Sequence, residues 1–165
     1  MVEVELVGVR VELPSNTPIV LLRELRGARR FLPILIGAPE ATAIAFALDR
    51  VETPRPMTHD LMKDVLDELA VGLERVVVTE LRDRTFFAEL HLSTNGSQRT
   101  VSSRPSDAIA LAARTGTTIF VAEQVLDEAG YTDAGDASDD EEQDDEVVEQ
   151  FRQFIESVNP DDFAS

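Results

Sequence analysis

The chain has 165 residues, 43% of them hydrophobic, which is enough for one domain with a real core. It contains no cysteine, which excludes disulfides, thiolate metal sites and cysteine nucleophiles. Its formal net charge of −17 argues against a general attraction to polyanions.

This charge is concentrated at one end of the chain. Residues 133–165 hold 13 acidic residues and one basic residue, whereas residues 1–132 hold 19 acidic and 14 basic residues. No run of about 20 apolar residues occurs, so the sequence predicts no membrane contact. The acidic N-terminus does not resemble a signal peptide, which predicts a cytoplasmic protein.

The first third predicts a strand meander followed by a helix. Apolar residues alternate from Val2 to Leu13 with a change of phase at Gly8, which predicts a strand with a bulge. Further strands are predicted over residues 19–25 and 31–36, and the largely apolar second of these favours a central place in the sheet. Residues 37–48 predict an alanine-rich helix.

The middle of the chain predicts more of both element types. A helix is predicted over residues 58–69, and the Asn95-Gly96 pair predicts a hairpin. The other predicted elements are strands at 75–81, 85–93, 99–103 and 117–121 and helices from 105 and at 123–129. The fold class is therefore predicted as α+β, a mixed, antiparallel-rich sheet of about six or seven strands with helices packed on it. An unpaired sheet edge predicts a homo-oligomer.

Composition divides the chain into three parts. Residues 1–131 form the predicted domain, and residues 132–145 predict an acidic flexible linker because they have too little apolar surface to bury. Residues 146–165 predict an amphipathic helix and tail, since Val147, Phe151, Phe154 and Val158 recur at helical spacing.

Two strand-to-helix junctions have the same pattern. The first reads Arg104-Pro105-Ser106-Asp107, and the second reads Arg55-Pro56-Met57-Thr58-His59-Asp60. One interpretation is structural, with Ser106 and Thr58 capping helices and early aspartates complementing the helix dipoles. The other is that both junctions line one polar cleft.

At these junctions the sequence resembles the bifunctional nuclease domain family. The matching pieces are Pro33-Ile34-Leu35-Ile36-Gly37 with Glu40-Ala41, Arg55-Pro56 with Thr58-His59-Asp60-Leu61, and the segment 104–112. The resemblance covers residues 1–130 and implies nuclease activity on RNA and DNA. One departure is Ser102, where the family usually carries an acidic residue.

Phosphodiester cleavage needs a base, a group that offsets transition-state charge and often a divalent metal. The predicted catalytic residues are His59, Asp60, Arg104 and Asp107. The predicted substrate-binding residues are Arg55, Arg104 and Ser106. The predicted metal ligands are Asp60, Asp107 and Glu40, whose hard oxygens favour Mg²⁺ or Mn²⁺.

A second function class stays open at this point. The chain can instead be a non-catalytic, oligomeric binding or scaffold module whose acidic C-terminal arm contacts a basic partner. The negative body and the lack of aromatic platforms for bases favour this alternative. The two classes differ in whether the predicted site residues share one exposed cleft.

Overall fold

The computed structural model describes residues 1–132, so the predicted terminal helix and all but the first residue of the predicted linker lie outside the described residues. The described chain contains seven strands and four helices. They are β1 (Val2–Glu12), β2 (Thr17–Glu24), β3 (Phe31–Leu35), α1 (Ala38–Leu48), α2 (Thr58–Glu68), β4 (Gly72–Arg82), β5 (Thr85–Thr94), β6 (Ser97–Ser103), α3 (Pro105–Thr115), β7 (Ile119–Val121) and α4 (Glu123–Ala129). Within this part, no helix combines the length and the apolar character needed to cross a membrane.

The strands form one sheet in the order β3-β2-β1-β7-β4-β5-β6. Neighbouring strands are antiparallel except β4 and β7, which are parallel. The α+β prediction with an antiparallel-rich sheet is confirmed. The register of β1 against β2 shifts between Leu6 and Gly8, where the change of phase predicted a bulge.

The predicted central position of β3 is wrong, because β3 is an edge strand. Its apolar residues Leu32 and Ile34 are nevertheless buried. The helix α4 packs against β3, and Tyr131 just after α4 pairs with Phe31 through two backbone hydrogen bonds of 2.7 and 2.9 Å. An edge strand covered in this way is as apolar as a central one.

Helices α1, α2 and α3 form a layer on the sheet that is centred on α3. This helix packs against β4 and β5, while α1 packs on β1 and β2 and both α1 and α2 pack against α3. Ala108, Ala110 and Ala112 are buried, and their small side chains allow these close approaches. The first turns of α1 and α3 are thereby brought together.

The predicted hydroxyl caps are wrong. Arg104 is the N-cap of α3 and Met57 is the N-cap of α2, and no serine or threonine side chain caps either helix. Pro105 occupies the first helical position, so Ser106 is the second helical residue, two residues past the N-cap, and cannot cap. In α2 the cap comes from the third residue instead, because the Met57 N–H donates to Asp60 Oδ2 at 3.0 Å.

Candidate functional site

Three helices carry a carboxylate at the same position of their first turn. Glu40, Asp60 and Asp107 are each the third residue of α1, α2 and α3 respectively. Negative charge is favoured there by the helix dipole. The sequence predicted all three as metal ligands, and their partners show which of them lie together.

Arg104 joins the first turns of α1 and α3. Its Nε donates to Asp107 Oδ2 at 2.6 Å, and a terminal nitrogen donates to Asp107 Oδ1 at 3.0 Å. Its other terminal nitrogen lies 3.0 Å from Glu40 Oε1. The Arg104 side chain is still 65% exposed, and these contacts use at most three of its five N–H donors. At least two donors remain for a ligand.

His59 extends this cluster into α2. Its Nε2 lies 3.0 Å from Asp107 Oδ1, and the His59 side chain is only 9% exposed. An ionised carboxylate can only accept, so the hydrogen of this contact is on Nε2. Four predicted or family-matching residues thus form one chain, the ion-paired cluster His59–Asp107–Arg104–Glu40.

The charges of this cluster stabilise one another. Burial acts to raise the pKa of Asp107, but hydrogen bonds from Arg104 and His59 outweigh it and hold that pKa below its ordinary value of 3.8. The hydrogen bonds to Asp107 likewise raise the pKa of Arg104. Asp107 is therefore an anion at neutral pH, which fixes the orientation of both partners.

Asp60 does not join the cluster. Its Oδ1 accepts from Arg114 Nε at 2.5 Å, and its Oδ2 is the capping oxygen for Met57. Arg114 lies in the last turn of α3, is 8% exposed and also donates to the Ala110 carbonyl at 2.9 Å. Sequence reasoning missed Arg114, since 54 residues separate it from Asp60 and no local pattern links them. The predicted catalytic and metal roles of Asp60 stay predictions.

A groove of about 730 Å³ opens beside the cluster. Of the predicted site residues, Glu40, Arg104 and Ser106 line it, whereas Arg55, His59, Asp60 and Asp107 do not. Its lining is mostly apolar and includes residues 33–36, Leu81 and Phe86. The two Arg-Pro junctions therefore contribute unequally, and only the Arg104 junction reaches the groove.

The observed contacts give little support to the predicted substrate-binding role of Arg55 or to the predicted metal site. Arg55 is exposed, and no hydrogen bond or ion pair involves its side chain within residues 1–132. In this same part of the chain, no group of three or more His, Asp or Glu residues is placed to hold a metal ion. Each of the three carboxylates contacts a guanidinium instead, so this donor set does not fit a bound cation, and Mg²⁺ or Mn²⁺ stays a prediction.

The fold and the cluster define an α+β domain with one ion-paired site beside a groove. Residues 20–134 match the bifunctional nuclease domain. Since this match covers more than half of the sequence, the chain belongs to the bifunctional nuclease domain family.

Similar proteins fall into two groups. A Mycobacterium tuberculosis (strain H37Rv) protein described as uncharacterized is 47% identical over 169 residues, which cover 100% of this chain and 99% of that protein. Bifunctional nuclease 2 of Arabidopsis thaliana is 32% identical over 107 residues, 62% of this chain and 32% of the plant protein. Bifunctional nuclease 1 of the same plant is 30% identical over 100 residues, 59% of this chain and 31% of the plant protein. This chain thus matches about a third of each plant nuclease.

Proposed function

We propose that this protein is a nuclease that hydrolyses phosphodiester bonds of RNA and DNA at the ion-paired cluster. The observation that carries the proposal is the hydrogen-bonded chain from His59 through Asp107 to Arg104. It links a base to an exposed cation at a groove. Membership of the nuclease domain family and the names of the plant relatives support the same reaction class.

In this mechanism each residue has a separate task. Asp107 holds the imidazole of His59 with its hydrogen on Nε2, so that Nδ1 accepts a proton from the attacking water. The water oxygen bonds to phosphorus, the bond from phosphorus to the leaving oxygen breaks, and that oxygen takes a proton from solvent. The free N–H groups of Arg104 bind the non-bridging oxygens as their charge grows.

A cleavage assay on labelled single-stranded RNA and DNA tests this proposal. His59→Ala should lower the rate by about 10²–10⁴-fold, the range expected for loss of a general base. Asp107→Asn should also lower it, because the amide can donate to His59 and weaken its orientation. Parallel reactions with Mg²⁺, Mn²⁺ and a chelator test the metal prediction. Cleavage that survives both substitutions belongs to a contaminant or to another site.

The scaffold alternative is favoured by different observations. The His59 side chain is only 9% exposed, and a cluster whose two acids both contact Arg104 can simply hold three helices together. Residues 97–102 of β6 are exposed along an open sheet edge, where a second copy can pair by its backbone. For this function, light scattering should give a homo-oligomer, and the purified protein should show no cleavage that depends on the cluster.

A further inference from the structure

We infer that the groove binds a single strand of nucleic acid and that Arg84 is its principal phosphate contact. This inference rests on the proposed function, since it names the form of the substrate that reaches the same site. Arg84 lies in the turn between β4 and β5, and it lines the groove together with Arg104. Sequence reasoning gave this arginine no role beyond the turn.

The first argument is the balance of charge. Arg84 and Arg104 are the two cations among the residues that line the groove. The charge of Arg104 is opposed by two carboxylates, those of Asp107 and Glu40. No hydrogen bond or ion pair joins the exposed side chain of Arg84 to any of residues 1–132. Arg84 is therefore the cation of the groove lining that no carboxylate pairs with within residues 1–132.

The second argument is the backbone of the turn. Asp83 and Arg84 have φ angles of +49° and +61°, in the left-handed region that glycine and asparagine adopt more readily than arginine. The next hairpin of the same sheet has this geometry too, with φ angles of +48° and +78°, and there the chain uses Asn95-Gly96. An arginine thus occupies a position where the turn alone favours glycine, and that position faces the groove.

The third argument is the size and lining of the groove. Its volume of about 730 Å³ lies in the usual range for small-ligand sites and suits a short stretch of one strand. Phe86 and Leu81 give it an apolar lining. Proteins that bind single strands combine cations for phosphates with apolar or aromatic side chains for base faces. In a duplex those faces are stacked inside and do not reach the lining.

One acidic residue opposes this role. Glu12 also lines the groove, and its side chain has no hydrogen bond or ion pair within the described part of the chain. Its negative charge should weaken the attraction between the groove and a phosphate. Glu12→Gln is therefore expected to tighten the binding of a single strand, which provides a test of opposite sign.

The experiment measures binding by fluorescence anisotropy, with a short labelled single-stranded DNA oligonucleotide in a chelator-containing buffer. Arg84→Gly is compared with Arg50→Gly. Arg50 is also an exposed arginine with a left-handed φ, +53°, but it does not line the groove. Loss of a charged hydrogen bond predicts binding about ten- to a hundredfold weaker for R84G, with R50G unchanged.

Two further readouts separate a phosphate contact from a structural effect. The logarithm of the association constant falls as the logarithm of the salt concentration rises. R84G should make this slope shallower by about 0.7, the value for one phosphate contact on a single strand. Both glycine variants should melt within about 3 °C of the parent. Glycine removes the backbone strain of the left-handed φ, and this gain offsets the greater conformational entropy that glycine gives the unfolded chain. A duplex of the same sequence should bind more weakly and be indifferent to R84G.

The inference is overturned if the parent does not bind the oligonucleotide, if R84G and R50G bind alike, or if the duplex binds as tightly as the single strand. Gels of the recovered oligonucleotide report cleavage separately. If binding depends on Arg84 but no cleavage occurs under any condition, the proposed nuclease function is refuted and the binding site is not. If cleavage is normal but R84G has no effect on binding, the binding site is refuted and the proposed nuclease function is not.

Discussion

Substitution of Asp60 separates a structural role from a catalytic one at the second Arg-Pro junction. Asp60→Ala removes both the partner of Arg114 and the capping oxygen for the Met57 N–H. Breaking a buried ion pair costs about 3–5 kcal/mol, and breaking an exposed one costs about 0–1 kcal/mol. Arg114 is 8% exposed and Asp60 is 37% exposed, so the pair lies between these limits, at about 2 kcal/mol.

Loss of the cap adds about 1 kcal/mol. The better helix propensity of alanine offsets part of this cost. The free energy of unfolding should therefore fall by about 2–3 kcal/mol and the melting temperature by roughly 5–10 °C. Asp64→Ala is the matched control, because Asp64 lies in the same helix, is exposed and makes no hydrogen bond within residues 1–132.

The assay is thermal unfolding of both variants, together with nuclease rates per folded molecule. A melting temperature for D60A equal to that of D64A would refute the structural reasoning. If D60A also lost the nuclease activity while it remained fully folded, Asp60 would be the catalytic or metal-binding residue that the sequence predicted.

Three further predictions concern acid stability, the acidic arm and the core. The lowered pKa values of Asp107 and of Glu24, the latter held down by hydrogen bonds from Arg30, stabilise the fold above their ordinary pKa values. This stability is lost as pH falls through the pKa values of the folded state. The free energy of unfolding of Asp107→Asn should therefore fall less steeply than that of the parent below pH 3.8 in acid unfolding. Removal of residues 132–165 should leave the melting temperature nearly unchanged and raise affinity for single strands at low salt, because 13 acidic residues go with it; a large stability loss would mean that the arm packs on the domain. Leu111→Ala, at a fully buried position of α3, should cost about 2–5 kcal/mol in urea unfolding, and a loss under about 1 kcal/mol would contradict this packing.

Local patterns were enough to predict most of the fold. Period-two alternation and the Asn95-Gly96 pair both reflect interactions between residues close in sequence. The edge position of β3 was not predictable in this way, because α4, almost 90 residues later in the chain, covers it. Capping failed for a local reason, since Pro105 takes the first helical position and displaces Ser106 inward.

The site was predictable in composition but not in pairing. The Arg-Pro patterns identified His59, Arg104 and Asp107, which the structure brings into one chain. They also suggested that Asp60 belongs with them, whereas its partner is Arg114. Pairings of this kind depend on how α2 crosses α3, which no single segment encodes. The position of Arg84 at the groove was not predictable either, because most of the other lining residues are far from it in sequence.

The central claim is that Arg104 stabilises charge on the phosphate while Asp107 holds it in place. Its most direct test is kcat/KM for cleavage of a labelled single strand by Arg104→Lys, with Arg50→Lys as the control. An ammonium cannot contact Asp107 through two parallel hydrogen bonds and still present free donors to phosphate. We predict a loss of about 10²–10³-fold for R104K at unchanged folding, and parent activity for R50K. Equal activity of R104K and R50K would contradict the account.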